Sequence, residues 1–239
     1  MAPINPEELV RWKAKAKGVL KQRARVIQLL NAAERVGIAP MPGRRLHAFA
    51  YLADVLSPVW NLQAFDGKIL KIEGGPHYPD LQEELDRLAV LGVVLVSRLQ
   101  YDSLSQSGPR INAWYAINFQ SPHLEALLAA LGAREAEQAI DPEDSSLDGF
   151  LVDLAGALGT LQEDQVDTAA SLDATYSDTR IDYTNVVDFG SWSTDIQTDN
   201  LSLRVTERFR RFMPERAQLS AGERLYLYAS FLGRRAIGS

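Results

Sequence analysis

The chain has no cysteine and only three histidines among its 239 residues. Without cysteine there is no disulfide and no thiolate metal site, a composition that fits the cytoplasm. His47, His77 and His123 are too far apart in the sequence to show a metal-ligand spacing. The sequence has no apolar run of the ~18 residues that a membrane span requires, and its first residues lack a signal-peptide core. We therefore expect a cytoplasmic protein with no membrane partner, no metal and no cofactor.

Motifs of catalysis are also missing from the sequence. It contains no nucleophile elbow, no phosphate-binding loop, no dinucleotide fingerprint and no H-E-x-x-H zinc motif. Asp188-Phe189-Gly190 matches the metal-binding triplet of protein kinases, but the other kinase motifs are absent. The carboxylates between Glu163 and Asp178 spread along two helical turns or more, whereas an ion site needs carboxylates that converge. The sequence therefore predicts a protein that is not an enzyme.

Charges of both signs are present, but they are segregated along the chain. The net charge of −6 results from +6 over residues 1–60, −7 over 61–145, −10 over 146–200 and +5 over 201–239. Such asymmetry indicates either contacts between the basic ends and the acidic middle or separate surfaces for differently charged partners. The 46% apolar content and the length allow one large or two small globular domains with real cores.

The pattern over residues 79–117 predicts a helix, a tight stop and two strands. Pro79 suits the first helical position, and leucines at 81, 85 and 88 follow the helical period. Gly92 suits the left-handed position that ends a helix. The β-branched run 93–96 and the alternation over 111–117 predict two strands joined by a polar tip at 102–109. Two helices and a short strand at 69–72 precede them, and this order predicts a winged-helix domain over residues 24–134.

The rest of the chain is predicted to add an extension and a second domain. Residues 1–23 form a basic N-terminal helical extension, with Gly18 as the weakest point of the helical pattern, and the acidic residues 135–146 form a linker. Residues 147–239 form a C-terminal, mainly helical domain, compatible with a degenerate second winged helix. Its last helix follows a capping box at Ser220 and Glu223 and ends near Gly233. The predicted fold class is α+β, mainly α.

The free face of the predicted helix at 79–92 has the wrong charge for reading DNA. It carries Asp80, Glu83, Glu84 and Asp86 against Arg87 alone. A DNA-reading helix needs basic or amide side chains to meet phosphates and base edges, and phosphates repel carboxylates. Trp114 and Tyr115 lie on opposite faces of one predicted strand, so at most one belongs to the core. We predict a surface that binds protein, and its candidate residues are Asp80, Glu83, Glu84, Arg87 and Trp114.

Nucleic acid is the alternative partner, because basic residues cluster elsewhere. Seven Lys or Arg residues and no acid lie between positions 11 and 25, and four arginines lie between 204 and 211. A solvated helix face explains such a stripe, but a one-signed stripe also raises the local potential for an anionic partner. On this alternative the protein is a DNA-binding winged-helix transcriptional regulator. Its candidate nucleic-acid-binding residues are Lys13, Lys17, Lys21, Arg25, Arg44, Arg45, Arg208 and Arg211.

The segment LLNAAERVGIAPMPGRRLHAFAYLADVLSPVWNLQAFDGKILKIEGGPHYPDLQEELDRLAVLGVV resembles the middle component of bacterial ABC-three-component systems, the Lamassu type of anti-phage (antiviral) defence. It is also similar to the tandem winged-helix subunits of SMC complexes. The resemblance covers residues 24–118 and rests on overall pattern rather than on a catalytic motif. It implies a non-catalytic adaptor subunit that bridges an SMC-like ATPase and an effector, often a nuclease, and that reaches DNA through the complex.

Overall fold

The structure is a computed structural model that describes residues 6–63, 68–72, 74–102, 110–130, 142–179, 182–188, 200–212 and 219–238. Within these ranges it describes the side chains from residue 18 onward, except those of residues 102, 110, 111, 130, 142–145, 163, 164, 167, 188 and 210. The first half contains α1 (Pro6–Arg35), β1 (Met41–Pro42), α2 (Gly43–Leu56), β2 (Lys68–Ile72), β3 (Gly75–His77), α3 (Pro79–Val90), β4 (Val94–Asp102), β5 (Arg110–Ile117) and α4 (Pro122–Ala130). The second half contains α5 (Pro142–Gly159), α6 (Glu163–Leu172), β6 (Val186–Asp188), α7 (Leu201–Arg208) and α8 (Ala221–Ile237). Short 3-10 helices span Ser57–Trp60 and Phe209–Phe212.

The predicted class, α+β and mainly α, is confirmed: the described chain is mostly helical and has two small antiparallel sheets. In the first sheet β5 lies between β1 and β4, and in the second β2 lies between β3 and β6. The short strand that pairs with the β4–β5 hairpin is therefore β1. The predicted strand at 69–72 exists as β2, but it belongs to the other sheet. The more specific name winged helix stays a prediction.

Glycine follows the ends of α1 and α3, and for α3 this is the predicted position. Gly37 and Gly92 have φ angles of 77° and 68°, in the left-handed region. After α3 the Gly92 amide donates to the Ala89 carbonyl at 3.0 Å, and the Val93 amide donates to the Leu88 carbonyl at 2.9 Å. This pair of hydrogen bonds forms a Schellman motif. Gly92 thereby turns the chain out of α3 and directly into β4.

The predicted capping box of α8 is also confirmed. The Glu223 amide donates to Ser220 Oγ at 3.2 Å, and the Ser220 amide donates to Glu223 Oε2 at 2.8 Å. The predicted end of α8 is wrong, because the helix continues past Gly233 to Ile237. A Cβ at Gly233 would lie 2.6 Å from Leu161 Cδ2. This glycine therefore allows the connection between α5 and α6 to pack closely against α8, and it does not stop the helix.

Two predicted boundaries fall inside continuous helices. α1 runs without a break through Gly18 and across the expected junction at 23/24, so the basic extension and the first domain share one helix. α5 begins at Pro142, within the expected linker 135–146, and residues 131–141 lie outside the described part of the chain. Of the expected hairpin tip at 102–109, Asp102 is the last residue of β4, and residues 103–109 lie outside the described part of the chain.

One cluster of buried apolar side chains extends across both predicted domains. It contains Phe49 of α2, Leu85 of α3, Phe150 of α5, Val166 of α6 and Leu225 of α8. The division into two domains near residue 147 stays a prediction, and the core is continuous across that point. Within the described residues, no helix combines the length and the apolar character that a bilayer-crossing segment requires.

Candidate protein-binding surface

The β4–β5 hairpin has one face that is apolar along its described length. The register sets Val94 opposite Ile117, Val96 opposite Tyr115, Leu99 opposite Ala113 and Tyr101 opposite Ile111. Directly opposed residues of an antiparallel pair share a face. The irregularity between Val96 and Arg98 inserts one residue, which keeps Leu99 and Tyr101 on the same face as Val94 and Val96. We call Val96, Leu99 and Tyr101 the apolar strip of β4.

Burial decreases along this face with distance from the base of the hairpin. Val94 and Ile117 are buried, whereas Leu99 is 70% exposed and Tyr101 is 65% exposed. The helices therefore cover the base and leave the outer part of the apolar strip uncovered. Among the described strands, β4 pairs with β5 alone and forms an edge of its sheet. A long edge strand with exposed apolar side chains favours pairing with another strand.

α3 presents an acidic surface next to the apolar strip. Asp80, Glu83 and Asp86 are exposed. Gln82 Nε2 donates to Asp86 Oδ1 at 2.8 Å and to Tyr115 Oη at 3.4 Å. Burial raises the pKa of the Tyr115 hydroxyl, and the charge of Asp86 raises this pKa further. Because Tyr115 lies opposite Val96 in the register, the carboxylate of Asp86 lies close to the apolar strip.

Glu84 was predicted to lie on this free face, and that prediction is wrong. Its side chain is only 2% exposed. Arg23 Nε donates to Glu84 Oε1 at 2.5 Å, and Arg87 Nη1 donates to Glu84 Oε2 at 3.1 Å. Helical spacing cannot reveal that α1 passes along this side of α3 and supplies an arginine. Glu84 therefore joins two helices, while Arg87 also donates to the exposed Glu83.

Trp114 lies on the opposite face of the hairpin from the apolar strip. It is partly exposed, and the guanidinium of Arg98 lies 4.8 Å from its ring centroid. Tyr115 is buried, so the prediction that at most one of the two aromatic residues belongs to the core is confirmed. Leu99 and Tyr101 escaped the sequence analysis, because the bulge interrupts the alternation by which a half-buried strand is recognised.

Two of the candidate nucleic-acid-binding residues are buried, and their assignment is corrected. Arg25 is 1% exposed, and its Nη2 donates to Asp54 Oδ2 at 2.9 Å. Arg45 is also buried. A guanidinium inside the core cannot reach a phosphate without unfolding its surroundings. The side chains of Lys13 and Lys17 lie outside the described part of the structure.

The remaining basic candidates with described side chains lie on different helices. Lys21, Arg44, Arg208 and Arg211 are exposed. Arg44 lies in the first turn of α2, where its Nη2 donates to the Gly74 carbonyl at 3.1 Å. α7 begins beside the other end of α2, where Asn200 Nδ2 donates to the Val55 carbonyl at 2.7 Å. Arg44 and the start of α7 therefore lie at opposite ends of α2.

Among the side chains that the structure describes, no group of three or more His, Asp or Glu residues is arranged to hold a metal ion. Asp173, once considered with the carboxylates of α6, is buried and accepts hydrogen bonds from Tyr51, Ser202 and Tyr228. Its oxygens are therefore occupied by hydroxyl groups of the protein, which is a structural role.

Comparisons with protein-family models, with curated proteins and with solved structures found no match to this chain. The fold and the candidate surface define a mainly helical α+β protein whose β4 edge and acidic α3 surface are open to solvent. The resemblance to the middle component of ABC-three-component systems stays a prediction.

Proposed function

We propose that this protein is a non-catalytic adaptor, and that the β4 edge binds an extended segment of a protein partner. The observation that carries the proposal is the uncovered apolar strip: Leu99 and Tyr101 continue a core-forming face beyond the helices that cover its base. Covering such side chains contributes about 2 kcal/mol each. Main-chain pairing along the strand adds affinity that does not depend on the partner's sequence.

The charges next to the strip indicate the chemistry of the partner. Asp80, Glu83 and Asp86 are exposed on α3, and Asp86 lies close to Val96 across Tyr115. A segment that alternates apolar and basic residues would place its apolar side chains on the strip and its basic side chains near these carboxylates. Electrostatic complementarity of this kind selects partners and speeds their association. The same carboxylates would repel DNA phosphates, which opposes a role of α3 in reading DNA.

The proposed partners come from the family resemblance. They are an SMC-like ATPase and an effector nuclease of an anti-phage defence complex, with DNA held by the complex rather than by α3. In this proposal the adaptor bridges the two enzymes, and both catalytic activities belong to the partners. The β4 edge would hold one partner, which leaves other surfaces for the second.

Co-expression with an SMC-like ATPase of the class that the resemblance implies, taken from the same genome, tests the proposal. We expect the two chains to elute together in size-exclusion chromatography. The substitutions Leu99→Lys and Tyr101→Ser together should abolish co-elution, because they remove the apolar strip without touching the core. Phe119→Ser is the matched control, since Phe119 is an exposed apolar residue outside the strip.

A second variant tests the charge of the partner. Asp80→Lys, Glu83→Lys and Asp86→Lys together should weaken association at least tenfold, and the loss should shrink at high salt because salt screens exposed charges. Glu84 is left unchanged in this variant, because it is buried and holds α1. Unchanged co-elution of the strip variant, or no association of the wild-type chains, would overturn the proposal.

A further inference from the structure

The exposed side of α7 and of the 3-10 helix after it carries three arginines, one carboxylate, that of Glu207, and an aromatic ring. Arg204 and Arg208 are exposed on α7, and Arg211 follows on the 3-10 helix Phe209–Phe212. Their spacings of four and three residues place them along one side of the helix. The next residue, Phe212, is 85% exposed. We call Arg204, Arg208, Arg211 and Phe212 the arginine–phenylalanine surface.

This surface is held by a rigid base. Asn200 caps α7, because its Oδ1 accepts a hydrogen bond from the Leu203 amide at 2.9 Å. The same side chain donates through Nδ2 to the Val55 carbonyl at 2.7 Å, which fixes the start of α7 to α2. Ser202 and Thr206 are buried on the inner side of α7. The start and the inner side of α7 are therefore held by the protein, and the exposed arginines lie on its outer side.

Phe231 of α8 contacts both the 3-10 helix after α7 and Arg235, whose Nη1 also donates to the Leu172 carbonyl at 2.9 Å. Phe209 packs against Phe231 of α8 with ring centroids 6.1 Å apart. The guanidinium of Arg235 lies 5.7 Å from the centroid of the same Phe231 ring. Phe231 thus joins the 3-10 helix after α7 to the basic end of α8, within the segment 201–239 that has a net charge of +5.

We propose that the arginine–phenylalanine surface binds single-stranded nucleic acid. Guanidinium groups bind phosphate oxygens with paired hydrogen bonds, and a row of them follows a phosphate backbone. An exposed aromatic ring beside that row offers a platform on which an unpaired base stacks. In a duplex the bases are already stacked on one another and cannot stack on Phe212, and an acidic protein would gain little from this aromatic ring. The combination of arginines and an exposed ring therefore favours single-stranded nucleic acid over a duplex and over an acidic protein.

The inference is independent of the proposed adaptor function. The apolar strip belongs to β4, which contacts β5 and α3, whereas α7 contacts α2, α8 and the two 3-10 helices. Different elements form the two surfaces, so each can be changed without changing the other. A single strand on α7 would give the adaptor a direct contact with nucleic acid in addition to a protein partner.

Fluorescence anisotropy of the full chain with labelled oligothymidylate tests the inference, with oligouridylate to distinguish DNA from RNA. Arg208→Ala with Arg211→Ala should weaken binding at least tenfold and should lower the slope of log affinity against log salt by about 1.4, since each phosphate contact on a single strand accounts for about 0.7. Phe212→Ala should weaken binding about tenfold with little change in that slope, because stacking is not ionic. Lys21→Ala with Arg44→Ala is the charge-matched control and should leave affinity nearly unchanged.

The following outcomes would overturn the proposal that this surface binds single-stranded nucleic acid. Equal losses in the control and in the arginine variant would mean diffuse attraction, which overturns the proposal. Binding of a duplex as tight as that of the single strand, with no effect of Phe212→Ala, would overturn it as well. Competition by polyglutamate as strong as by oligothymidylate would assign the surface to an acidic protein instead. Because all the substituted side chains are exposed, we expect every variant to keep the melting temperature of the wild-type protein. Thermal melts check in this way that the variants remain folded.

Discussion

Tyr51 in α2 donates a hydrogen bond to Asp173 Oδ2, at 2.6 Å and across 122 positions of sequence. Tyr228 of α8 donates to the other oxygen, Oδ1, at 2.5 Å, and Ser202 Oγ of α7 donates to Oδ2 at 2.7 Å. Burial, followed by the charge of Asp173, raises the pKa of Tyr51 well above its ordinary value, so the hydroxyl stays protonated and able to donate. One buried carboxylate therefore ties α2, α7 and α8 to the end of α6.

Removal of this carboxylate should strongly destabilise the fold. Asp173→Ala leaves several buried hydroxyl donors without an acceptor, at about 1–3 kcal/mol each, so we expect the free energy of unfolding to fall by about 4 kcal/mol or more. Urea denaturation followed by circular dichroism measures the change. Asp182→Ala, at an exposed aspartate, should change stability by less than about 0.5 kcal/mol. Equal midpoints for the two variants would contradict the structural role of Asp173.

Arg25 should act through the core and not through nucleic acid. Its guanidinium donates to Asp54 Oδ2 and to the Ala50 carbonyl and lies 4.7 Å from the ring centroid of Tyr78. Arg25→Met leaves Asp54 without its countercharge and should cost about 3–5 kcal/mol, whereas Arg25→Met combined with Asp54→Leu should cost less than the sum of the single changes. The free energies of unfolding of the three variants measure this coupling. Additive losses would contradict it.

His47 should make the protein less stable in mild acid. Its Nδ1 accepts from the Tyr78 amide at 3.2 Å, and its Nε2 donates to Gln82 Oε1 at 3.0 Å, which fits the neutral ring. Burial lowers the pKa of His47 from 6.5 to about 4. As the pH falls below 6.5, the imidazole is therefore protonated in the unfolded chain before it is protonated in the folded protein. The free energy of unfolding should fall by about 3 kcal/mol between pH 6.5 and about pH 4.

The pH dependence of His47 is measured as a difference between two proteins. His47→Asn retains an acceptor for the Tyr78 amide but has no titrating ring, so its stability should depend less on pH between 6.5 and 4. His123→Asn, at an exposed histidine, should keep the wild-type dependence. If the free energies of unfolding of the wild-type protein and of His47→Asn depended on pH in the same way, His47 would not titrate as described.

Two glycines should respond to alanine in opposite directions. Gly18 lies within α1, and a Cβ there meets nothing within 4 Å, so Gly18→Ala should stabilise the protein by about 0.5–1 kcal/mol. Gly92 has equal space for a Cβ but a φ of 68°, so Gly92→Ala should destabilise the protein by about 1–2 kcal/mol through backbone strain. Thermal melts measure both changes. A stabilising Gly92→Ala would contradict the left-handed conformation.

Local signals predicted the elements of the fold well, because their causes are local. Gly92 after the leucines of α3 determined where that helix ends, and Ser220 with Glu223 determined where α8 begins. The prediction for Gly233 was wrong, since glycine has two uses: it can end a helix, or it can let another segment of the chain approach a helix closely. The choice between them depends on Leu161, which lies 72 positions earlier and has no sequence signal that points to Gly233.

The candidate surface was predicted only in part. Asp80 and Glu83 could be assigned to the free face of α3 from helical spacing, but Glu84 could not be assigned to the buried side, because its partner Arg23 comes from another helix. Leu99 and Tyr101 were missed, because the bulge in β4 hides their common face with Val94.

The sequence by itself determined the α+β class, the end of α3, the start of α8 and the segregation of charge, since these follow from residues near one another in the chain. Tertiary structure alone decided that Arg25 and Glu84 are buried, that Asp173 joins four helices, and that part of the apolar face of β4 stays uncovered. The physical reason is that burial and pairing depend on which surfaces meet, and that depends on contacts between residues distant in the sequence.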